Sequence, residues 1–584
     1  EKTDNDCGSA SQESLAEEQQ FVKYEGSLHT GALEKWLKDD SKLKALVSAP
    51  ILVATIDHLI SATEGVRGGK QLPSMLRLLT SDLVLDEPDD FDIADLHAVC
   101  RLMNWAGMLG TRVLLSSATL PPGLIQALFA AYLAGRKMWQ TSCGTHGRPV
   151  NICCAWFDEK DADATQICDG PGFRDAHAKF VARRAVMLAE KERLHFGRVA
   201  SISSASSAIQ DVTESVAQTV HTQMLKLHQA HRQLHESGKT VSLGLVRFAN
   251  INPLIAVTKA LIAIPSPEDV CIHYCVYHSR HPLAVRSDIE KRLDRAFTRH
   301  NELDFWNNED IADALHKSPE SNHLFVVLGT SVIEVGRDWD ADWGIIEPSS
   351  MRSIIQFAGR IQRHRRNVPT SENLVILRSN IKSLQKKAPA FCKPGFETKE
   401  HLLDSHDICE LIPIADYRTI NALPRILSAN NDNKLAELEH SRLSTELMSS
   451  KSKHVVAAQW WRAPLSWNGW MQRQTPFRYS PLPEAVFFLH MDDEESEARF
   501  YSRTGDNERK AQGNFRREEV RCASGVACWG VMDYQHVLLN LADKHGCEIQ
   551  RVGEMFAEVR VPASEEDAVD DWRYHPWLGV FRNL

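Results

Sequence analysis

The chain has 584 residues, of which 43% are hydrophobic and 25% are charged, a composition typical of soluble globular proteins, and its length suggests about four domains. No apolar run reaches the roughly 18 residues that a membrane span needs. The 13 cysteines are scattered without a C-x-x-C pair, which favours a reducing cytoplasm over a disulfide framework. The net charge of −10 does not exclude a nucleic-acid partner, because such binding depends on local basic stripes. Two such stripes, Arg286 to Arg299 and Arg360 to Arg366, could equally be solvated helix faces.

The chain starts without a methionine or a signal-like segment, so we expect the middle of a longer polypeptide or a processed piece. A polar and mobile stretch is expected over residues 1–20. A helix is predicted over Gly31 to Leu46, followed by a strand over Ile51 to Ala54 that ends in Thr55 and Asp57. The glycine-rich stretch Gly65 to Lys70 does not have the spacing of a phosphate-binding loop, and no other such loop occurs in the sequence.

An acidic turn follows the next predicted strand, which spans Ser81 to Leu85. Asp86-Glu87-Pro88-Asp89 then stands at the carboxyl end of this strand, where ligands bind in open α/β sheets. A carboxylate in this position can hold Mg²⁺ on a nucleotide, and its neighbour can orient an attacking water. Because acidic turns are common, the four residues alone are a weak signal.

A second strand is predicted over Val113 to Leu115, followed by the hydroxyl-bearing residues Ser117 and Thr119. These hydroxyls could communicate the state of a nucleotide to a neighbouring surface. They could also cap the helix that Pro121-Pro122 begins.

The pattern restarts after His146 to Pro149 with apolar runs separated by helical stretches, which predicts a parallel, doubly wound sheet. The predicted strands are Val199 to Ser203, Leu243 to Phe248, Val270 to Val276, Leu324 to Leu328, Trp343 to Ile346 and Leu374 to Leu377. A long helix over Ala205 to His235 would place His228, His231 and His235 on one solvated face. Cys271, His273 and Cys275 are interpreted as core residues, because a metal site would need further ligands.

The stretch from Leu324 to Arg366 is the centre of this pattern. After the two strands comes a predicted helix whose last turns carry Gln356, Arg360 and Arg363, with the two arginines on one face. A fixed pair of guanidiniums is what a transferring phosphoryl group requires, because its transition state spreads negative charge over several oxygens. The alternative is an ordinary basic helix end.

Beyond about Ser383 the periodicity weakens, and a tryptophan cluster contains Trp460, Trp461, Trp467 and Trp470. From about Thr475 the chain is aromatic with shorter strands, which predicts a small separate module. The predicted division is residues 1–150 for the C-terminal part of a first lobe, 151–382 for a second lobe, 383–474 for a linker and 475–584 for a C-terminal domain.

Four elements occur in one order: T-x-D, DEPD, SAT and the block from Thr330 to Arg363. This order resembles the superfamily 2 helicases. TSVIEVGRDWD (Thr330 to Asp340), QFAGRIQRH (Gln356 to His364), TIDHL (Thr55 to Leu59) and YHSRHPLAVRSDIEKRL (Tyr277 to Leu293) resemble the CRISPR-associated helicase-nucleases of type I interference systems, and DEPD suggests subtype I-F.

The resemblance implies an α/β fold of two RecA-like lobes with doubly wound parallel sheets, the first lobe truncated, then a linker and a small C-terminal domain. It implies a cytoplasmic ATP- and Mg²⁺-dependent translocase that moves 3′ to 5′ along single-stranded DNA. An HD nuclease domain with a divalent transition metal and an adaptation-protein domain would precede it, and neither is found in these residues. The implied partners are single-stranded DNA, the RNA-guided surveillance complex and adaptation proteins, with no membrane partner.

The resemblance also implies residue roles. Asp86 would hold Mg²⁺, Glu87 would orient water, and Arg360 and Arg363 would be arginine fingers. The residues implied on the nucleotide side are Asp89, Ser117, Thr119, Asp338 and Gln356. The residues implied at the DNA backbone are Thr55, His278, Arg280 and Thr330. Phe357 departs from the pattern, because many helicases have another arginine there.

Two alternative functions stay open at this stage. One is an RNA helicase of the same superfamily. The other is a non-catalytic recruitment or interaction subunit, which the absence of a P-loop favours.

Overall fold

The computed structural model describes residues 49–63, 71–428, 432–448, 458–462, 476–478, 484–503, 509–511, 515–563 and 572–584. The predictions for residues 1–20, for the helix over 31–46, for the glycine-rich loop over 65–70 and for Trp467 and Trp470 lie outside these residues.

The helices of the described residues are α1 Ile56–Ile60, α2 Gln71–Thr80, α3 Ile93–Leu109, α4 Pro122–Ser142, α5 Gly170–Glu190, α6 Ile209–His231, α7 Ile251–Ile262, α8 Leu283–Phe297, α9 Glu302–Trp306, α10 Glu309–Lys317, α11 Met351–Ala358, α12 Ile381–Leu384, α13 Ile408–Leu411, α14 Ile414–Arg418, α15 Leu423–Ile426, α16 Lys434–Met448, α17 Tyr534–His545 and α18 Ile549–Phe556. The strands are β1 Leu83–Asp86, β2 Val113–Ser116, β3 Ile152–Phe157, β4 Ala162–Ile167, β5 Gly197–Ala200, β6 Gln233–Leu234, β7 Thr240–Arg247, β8 Val270–Tyr277, β9 Asn322–Gly329, β10 Trp343–Ile346, β11 Leu374–Leu377, β12 Glu484–His490, β13 Arg499–Arg503, β14 Arg509–Ala511, β15 Arg516–Arg517, β16 Val526–Cys528, β17 Glu558–Pro562, β18 Trp572–His575 and β19 Gly579–Arg582.

The first lobe contains a parallel pair, β1 and β2, packed against helices α3 and α4. Leu443 and Leu447 of α16 complete its core, so a helix from the region predicted as a linker packs on this lobe. The predicted strand over Ile51 to Ala54 is wrong, because these residues have no strand partner among the described residues and α1 begins at Ile56. An apolar run without a partner strand cannot form the ladder of hydrogen bonds that a sheet needs.

An antiparallel hairpin, β3 and β4, follows the first lobe and was not expected from the sequence. Ile167, at its end, and Phe173 of α5 pack against Ile125, Phe129 and Leu133 of α4. The chain therefore makes contact with the first lobe again before it enters the large sheet at β5.

The large sheet of the second lobe has the strand order β16-β8-β9-β7-β10-β11-β5, with every neighbouring pair parallel. Helices α6 and α7 cover one face and α8, α10 and α11 cover the other. Because both faces are buried, its strands are nearly continuous apolar runs, as expected for parallel sheets. The predicted α/β class and doubly wound sheet are confirmed, and strands β10 and β11 have the predicted bounds.

Helix α6 is shorter than predicted, and its histidines are not all solvated. His228 is 4% exposed, and its Nδ1 lies 2.8 Å from the hydroxyl of Ser242 on β7. The predicted solvated face is therefore wrong at His228, because the C-terminal half of the helix packs on the sheet.

The C-terminal region contains two further sheets, of order β14-β13-β12-β17 and β15-β18-β19. The region expected to be a small separate module is not isolated from the second lobe, because β16 pairs in parallel with β8 and extends the large sheet. The fully buried Trp577 donates from its indole N–H to the carbonyls of Tyr274 and Trp529 at 3.0 and 3.2 Å. In the described part of the chain, no helix combines the length and the apolar character required to cross a bilayer.

Candidate functional site between two strand edges

The acidic loop (Asp86 to Asp90) follows β1, and the hydroxyl loop (Ser117 to Thr119) follows β2. The two strands are neighbours and end beside each other. Asp86 and Ser116 are register partners at the carboxyl ends of β1 and β2, and the backbone N–H of Glu87 donates to the Ser116 carbonyl at 2.7 Å. The sequence order alone did not establish this adjacency. The carboxyl edge of a parallel sheet is where α/β proteins bind ligands.

Asp89 joins these two loops through its carboxylate. One oxygen accepts from the hydroxyl of Ser117 at 2.7 Å, and the other accepts from the hydroxyl of Thr119 at 2.8 Å and from Arg425 at 2.8 Å. Burial would raise the pKa of Asp89, but Arg425 and the two hydroxyls outweigh burial and lower it. The structure thus places Asp89, Ser117 and Thr119 in one hydrogen-bonded group, in which Asp89 positions the other two.

Arg425 lies far along the chain, in helix α15, and the sequence analysis did not find it. It is fully buried and also pairs with Glu439 of α16 at 2.7 Å. The short sequence LPRI around it carries no motif that could have identified the contact.

Glu87 and Asp86 differ in their surroundings. Asp86 is exposed at the strand end, whereas Glu87 is half-buried and its backbone is left-handed, with φ 45° and ψ 53°. Burial raises the pKa of Glu87 to about 7, and the negative charges of Asp89, Asp90 and Asp86 add to the rise. The pKa of Glu87 therefore lies near neutral pH, where a general acid or base is most effective.

The predicted arginine helix ends earlier than expected. Helix α11 stops at Ala358, Ile361 forms a parallel bridge with Ala341, and Gln362 has φ 52°. The expectation that Arg360 and Arg363 share one helical face is therefore wrong. After Ala358 the chain continues through turns and the bridge to Ala341, a contact distant in sequence that the local residues cannot predict.

Arg360 is held by the loop that follows β9. Its Nε and one terminal nitrogen donate to the Glu334 carbonyl at 3.0 and 2.9 Å, and the other terminal nitrogen donates to the Arg337 carbonyl. Burial lowers the pKa of Arg360 to about 10, and the charge of Arg363 contributes to the decrease. The negative charges of Asp90 and Glu87 act to raise the pKa of Arg360, so the acidic loop of the first lobe interacts electrostatically with this guanidinium.

Arg363 pairs with Asp338, whose carboxylate accepts from its Nε at 2.7 Å, and His364 lies 3.0 Å from the same carboxylate. Burial would raise the pKa of Asp338, but the hydrogen bonds of His364 and Arg363 outweigh it and hold the pKa at about 2. The Arg363 side chain is 43% exposed, so it remains accessible from solvent.

Helix α11 also contacts the acidic loop directly. The side-chain amide of Gln356 donates to the carboxylate of Asp90, and Arg352 donates to the carbonyls of Asp89 and Phe91 at 3.1 and 3.2 Å. The prediction did not include Arg352 or Asp90. The structure therefore brings the acidic loop of the first lobe against α11 of the second.

The residues predicted at the DNA backbone lie in different environments. Thr55 is half-buried, whereas Thr330 is 6% exposed at the end of β9. His278 is fully buried, with its Nε2 2.8 Å from the Leu578 carbonyl and its Nδ1 accepting from the backbone N–H of Arg280. It therefore supports the Arg280 loop from beneath and does not reach the surface.

Arg280 is half-buried, donates to Asn252 at 3.0 Å and lies over the ring of Trp572. Burial lowers the pKa of Arg280 to about 10, and the charge of Arg582 adds to this effect. Basic residues of the two predicted stripes are in ion pairs, among them Arg292 with Asp310, Arg299 with Asp342, and Arg365 with Asp340 and Asp342.

A buried polar group supports the β9 loop from below. The Glu334 carboxylate is 2% exposed and accepts from Arg247 at 3.1 Å and from the hydroxyl of Ser353 at 2.7 Å. This group fixes the backbone carbonyl that receives Arg360. Glu334 belongs to the TSVIEVGRDWD motif, but the motif alone does not indicate this supporting role.

Comparisons with known proteins support the interpretation of the motifs. A family model described as the C-terminal part of the CRISPR-associated nuclease/helicase Cas3 matches residues 240–366. A second, described as the C-terminal domain of CRISPR-associated Cas3 of subtype I-F/YPEST, matches residues 484–582.

Two relatives are described as CRISPR-associated nuclease/helicase Cas3 of subtype I-F/YPEST. The protein of Pectobacterium atrosepticum is 49% identical over 590 residues, which cover 99% of this chain and 53% of that protein. The protein of Pseudomonas aeruginosa is 41% identical over 580 residues, which cover 98% of this chain and 53% of that protein. The crystal structure of T. fusca Cas3 matches with a TM-score of 0.49 at 15% identity, covering 91% of this chain and 52% of that one. The chain thus spans about half the length of the curated relatives it matches, and the predicted resemblance is confirmed.

Proposed function

Because this chain is similar over almost all its length to half of the CRISPR-associated nuclease/helicases of subtype I-F/YPEST, we propose that it forms the ATP-driven translocase part of such a protein. In this proposal it moves 3′ to 5′ along single-stranded DNA and feeds the strand to an HD nuclease domain that depends on a divalent transition metal. Its partners are the RNA-guided surveillance complex and the adaptation proteins of the same system.

The observation that carries the proposal is the contact between the two lobes. The acidic loop after β1 meets α11 through Gln356 and Arg352, and the charges of Asp90 and Glu87 act on the Arg360 guanidinium, two residues beyond that helix. A nucleotide bound at the acidic loop would therefore lie between lobes that both carry charged groups. Phosphoryl transfer depends largely on such positioning and charge stabilisation.

The acidic residues fit a divalent cation. Asp86 is exposed at a strand end, and the pKa of Glu87 is raised by burial and by three neighbouring carboxylates. A bound Mg²⁺ would relieve this crowding of negative charge and would neutralise charge on the phosphates. Asp86 would hold the ion, and Glu87 in its ionised form would orient the attacking water.

Arg360 and Arg363 differ in how readily each could act as an arginine finger. Arg360 uses three of its five N–H groups on the carbonyls of Glu334 and Arg337 within the described residues, so two remain for a phosphate. To contact a phosphate, Arg363 would have to break its ion pair with Asp338 or bind the phosphate beside that carboxylate. The remaining residues predicted near the nucleotide, Ser117 and Thr119, would connect the acidic loop to the DNA-binding face through Asp89.

The DNA path is proposed to run over Thr55, Arg280 and Thr330, with His278 as a supporting residue. A translocase must accept every sequence, so backbone contacts should dominate. Arg280→Ala should therefore weaken single-stranded DNA binding to a similar degree for all sequences and reduce the salt dependence of binding.

The test is ATP turnover by the intact protein that carries this chain, with single-stranded DNA or RNA added. Asp86→Ala should abolish DNA-stimulated turnover, and Asp82→Ala should not, although Asp82 lies just before the same strand and pairs with Arg112 on the surface. Stronger stimulation by RNA would favour an RNA helicase. Absence of turnover with either polymer would favour an interaction subunit.

A further inference from the structure

A second group of ligand-type side chains lies at the edge of the large sheet opposite the proposed nucleotide site. Cys271 and His273 occupy the amino-terminal part of β8, and His323 lies near the start of β9. The loop after β9 that holds Arg360 in the proposed site is at the carboxyl end of that strand, about 20 Å away for a strand of eight residues. Cys271, His273 and His323 are not among the residues assigned to the proposed function.

The parallel sheet brings the three side chains together. Cys271 and His273 are two residues apart and so project from the same face of β8, and His323 is the register partner of Cys271. One potential ligand atom from each of the three lies within 4.8 Å of the other two. The sequence alone does not indicate a metal site here, because His323 is distant in the chain from Cys271 and His273.

The distances suit a tetrahedral ion. His273 Nε2 and His323 Nδ1 are 3.2 Å apart. Two histidine nitrogens bound to one zinc ion at about 2.0–2.1 Å would lie about 3.3 Å apart, and a thiolate and a nitrogen about 3.6 Å apart. The widest pair would therefore have to close by about 1 Å, which side-chain rotation can supply.

The protonation of His323 already suits metal binding. His323 Nε2 lies 3.0 Å from the backbone carbonyl of Glu320, so this nitrogen carries the proton and Nδ1 has a free electron pair. Metal-binding histidines characteristically donate their other N–H to such a carbonyl.

Glu320 lies beside this group through its backbone carbonyl, although its carboxylate is not among the ligand atoms that lie within 4.8 Å of one another. One of its carboxylate oxygens is buried without a hydrogen-bond partner among the described residues, which is costly for a charged group. A cation at this point would compensate the buried charge.

We propose that Cys271, His273 and His323 bind one divalent transition-metal ion, with zinc as the best match and a fourth coordination position left open. Cysteine and histidine are the ligands that zinc prefers, whereas Mg²⁺ and Ca²⁺ prefer oxygen alone. On binding, the Cys271 thiol loses its proton to solvent, and the proton shared between the two imidazoles moves to Nδ1 of His273. The ion would tie β8 to β9 and stabilise this edge of the sheet.

The experiment titrates Zn²⁺ and Co²⁺ into the intact, chelator-treated protein. Cys275→Ala is a matched control, because Cys275 is buried on the same face of β8 but is not in the group. Wild type and Cys275→Ala should show a thiolate-to-cobalt charge-transfer band and one more strongly bound equivalent than Cys271→Ala. Cys271→Ala should lose the band and bind at least about 100-fold more weakly.

His323→Gln should lose the same equivalent, and circular dichroism would establish that each variant is folded. Should His323→Gln fail to fold, Cys271→Ala decides alone. A wild type without the charge-transfer band, or equal binding by Cys271→Ala and Cys275→Ala, would overturn the proposal. Metal bound elsewhere in the intact protein is common to all variants and cancels in the comparison.

Discussion

At the scale of single residues, Glu87 has the most distinctive environment of the acidic loop. Its backbone is left-handed, a conformation that non-glycine residues rarely adopt and that costs of order 1–3 kcal/mol. Its pKa of about 7 arises from burial first and then from the neighbouring carboxylates. Strain and charge crowding at one position are common where function depends on the position.

The pKa of Glu87 predicts a pH dependence for turnover. Below pH about 7 the protonated carboxyl cannot accept a proton from water, so kcat/KM should fall as the pH decreases through this value. Glu87→Gln should remove most of the turnover together with this acid limb. Asp90→Asn removes one of the charges that raise the pKa and should move the limb to lower pH. A limb unchanged in Asp90→Asn would contradict the assignment.

Arg360 and Arg363 predict different responses to substitution. Loss of an arginine finger removes on the order of 10³ in rate, and lysine cannot reproduce the planar guanidinium. Arg360→Lys should therefore abolish DNA-stimulated turnover while DNA affinity is retained. Arg363→Lys should also reduce turnover, whereas Arg366→Lys, at an exposed position, should have little effect. Equal and mild losses at all three positions would indicate a general basic patch.

At the scale of secondary-structure elements, short helices outside the two sheets position the acidic loop. Helix α15 presents Arg425 to Asp89 and Thr119, and α16 presents Glu439 to the same guanidinium. The region predicted as a linker therefore supplies a buried ion group to the site. A buried charge without its partner is strongly unfavourable, which makes this group sensitive to change.

Arg425→Met should lower the free energy of unfolding by about 3–5 kcal/mol, because Asp89 and Glu439 would remain buried without a counter-ion. Arg418→Met, on the exposed side of α14, should change it by less than about 0.5 kcal/mol. Denaturant unfolding measures both.

The pKa of Asp89 is lowered, so its stabilising contribution is present above the ordinary carboxyl pKa of about 3.9 and is lost as the pH falls through the lower folded value. The difference between wild type and Arg425→Met should therefore shrink in acid. A difference that does not depend on pH would show that lost packing dominates.

At the scale of the whole molecule, the C-terminal region and the second lobe form one structure. Strand β16 lies at the edge of the large sheet, and Trp577, Leu578 and Phe581 belong to the core on one face of it. Deletion of residues 484–584 should therefore expose this core and cause aggregation, which light scattering would detect.

A point substitution tests the same conclusion with less disruption. Trp577→Ala should destabilise the protein by about 3–5 kcal/mol, because it removes a fully buried ring and two hydrogen bonds. Val531→Ala, at a position that is 47% exposed, serves as the control and should have a small effect. If Trp577→Ala leaves the unfolding midpoint of the second lobe unchanged, the C-terminal region folds independently.

The sequence by itself determined the features that depend on neighbouring residues. Apolar runs predicted the strands Trp343–Ile346 and Leu374–Leu377 with the observed bounds, because burial on both faces requires continuous hydrophobicity. The spelling of short motifs also predicted the similarity to the CRISPR-associated helicase-nucleases. These signals are local, and each can be read from a few consecutive residues.

The tertiary structure alone decided which distant groups meet. Arg425 reaches Asp89, and His323 reaches Cys271, through contacts that no local pattern encodes. The end of helix α11 at Ala358 depends on a bridge from Ile361 to Ala341, and helix propensity cannot register such a partner. Propensity and periodicity describe how a segment exposes its own side chains, whereas burial, pKa and ion pairing depend on what packs against it.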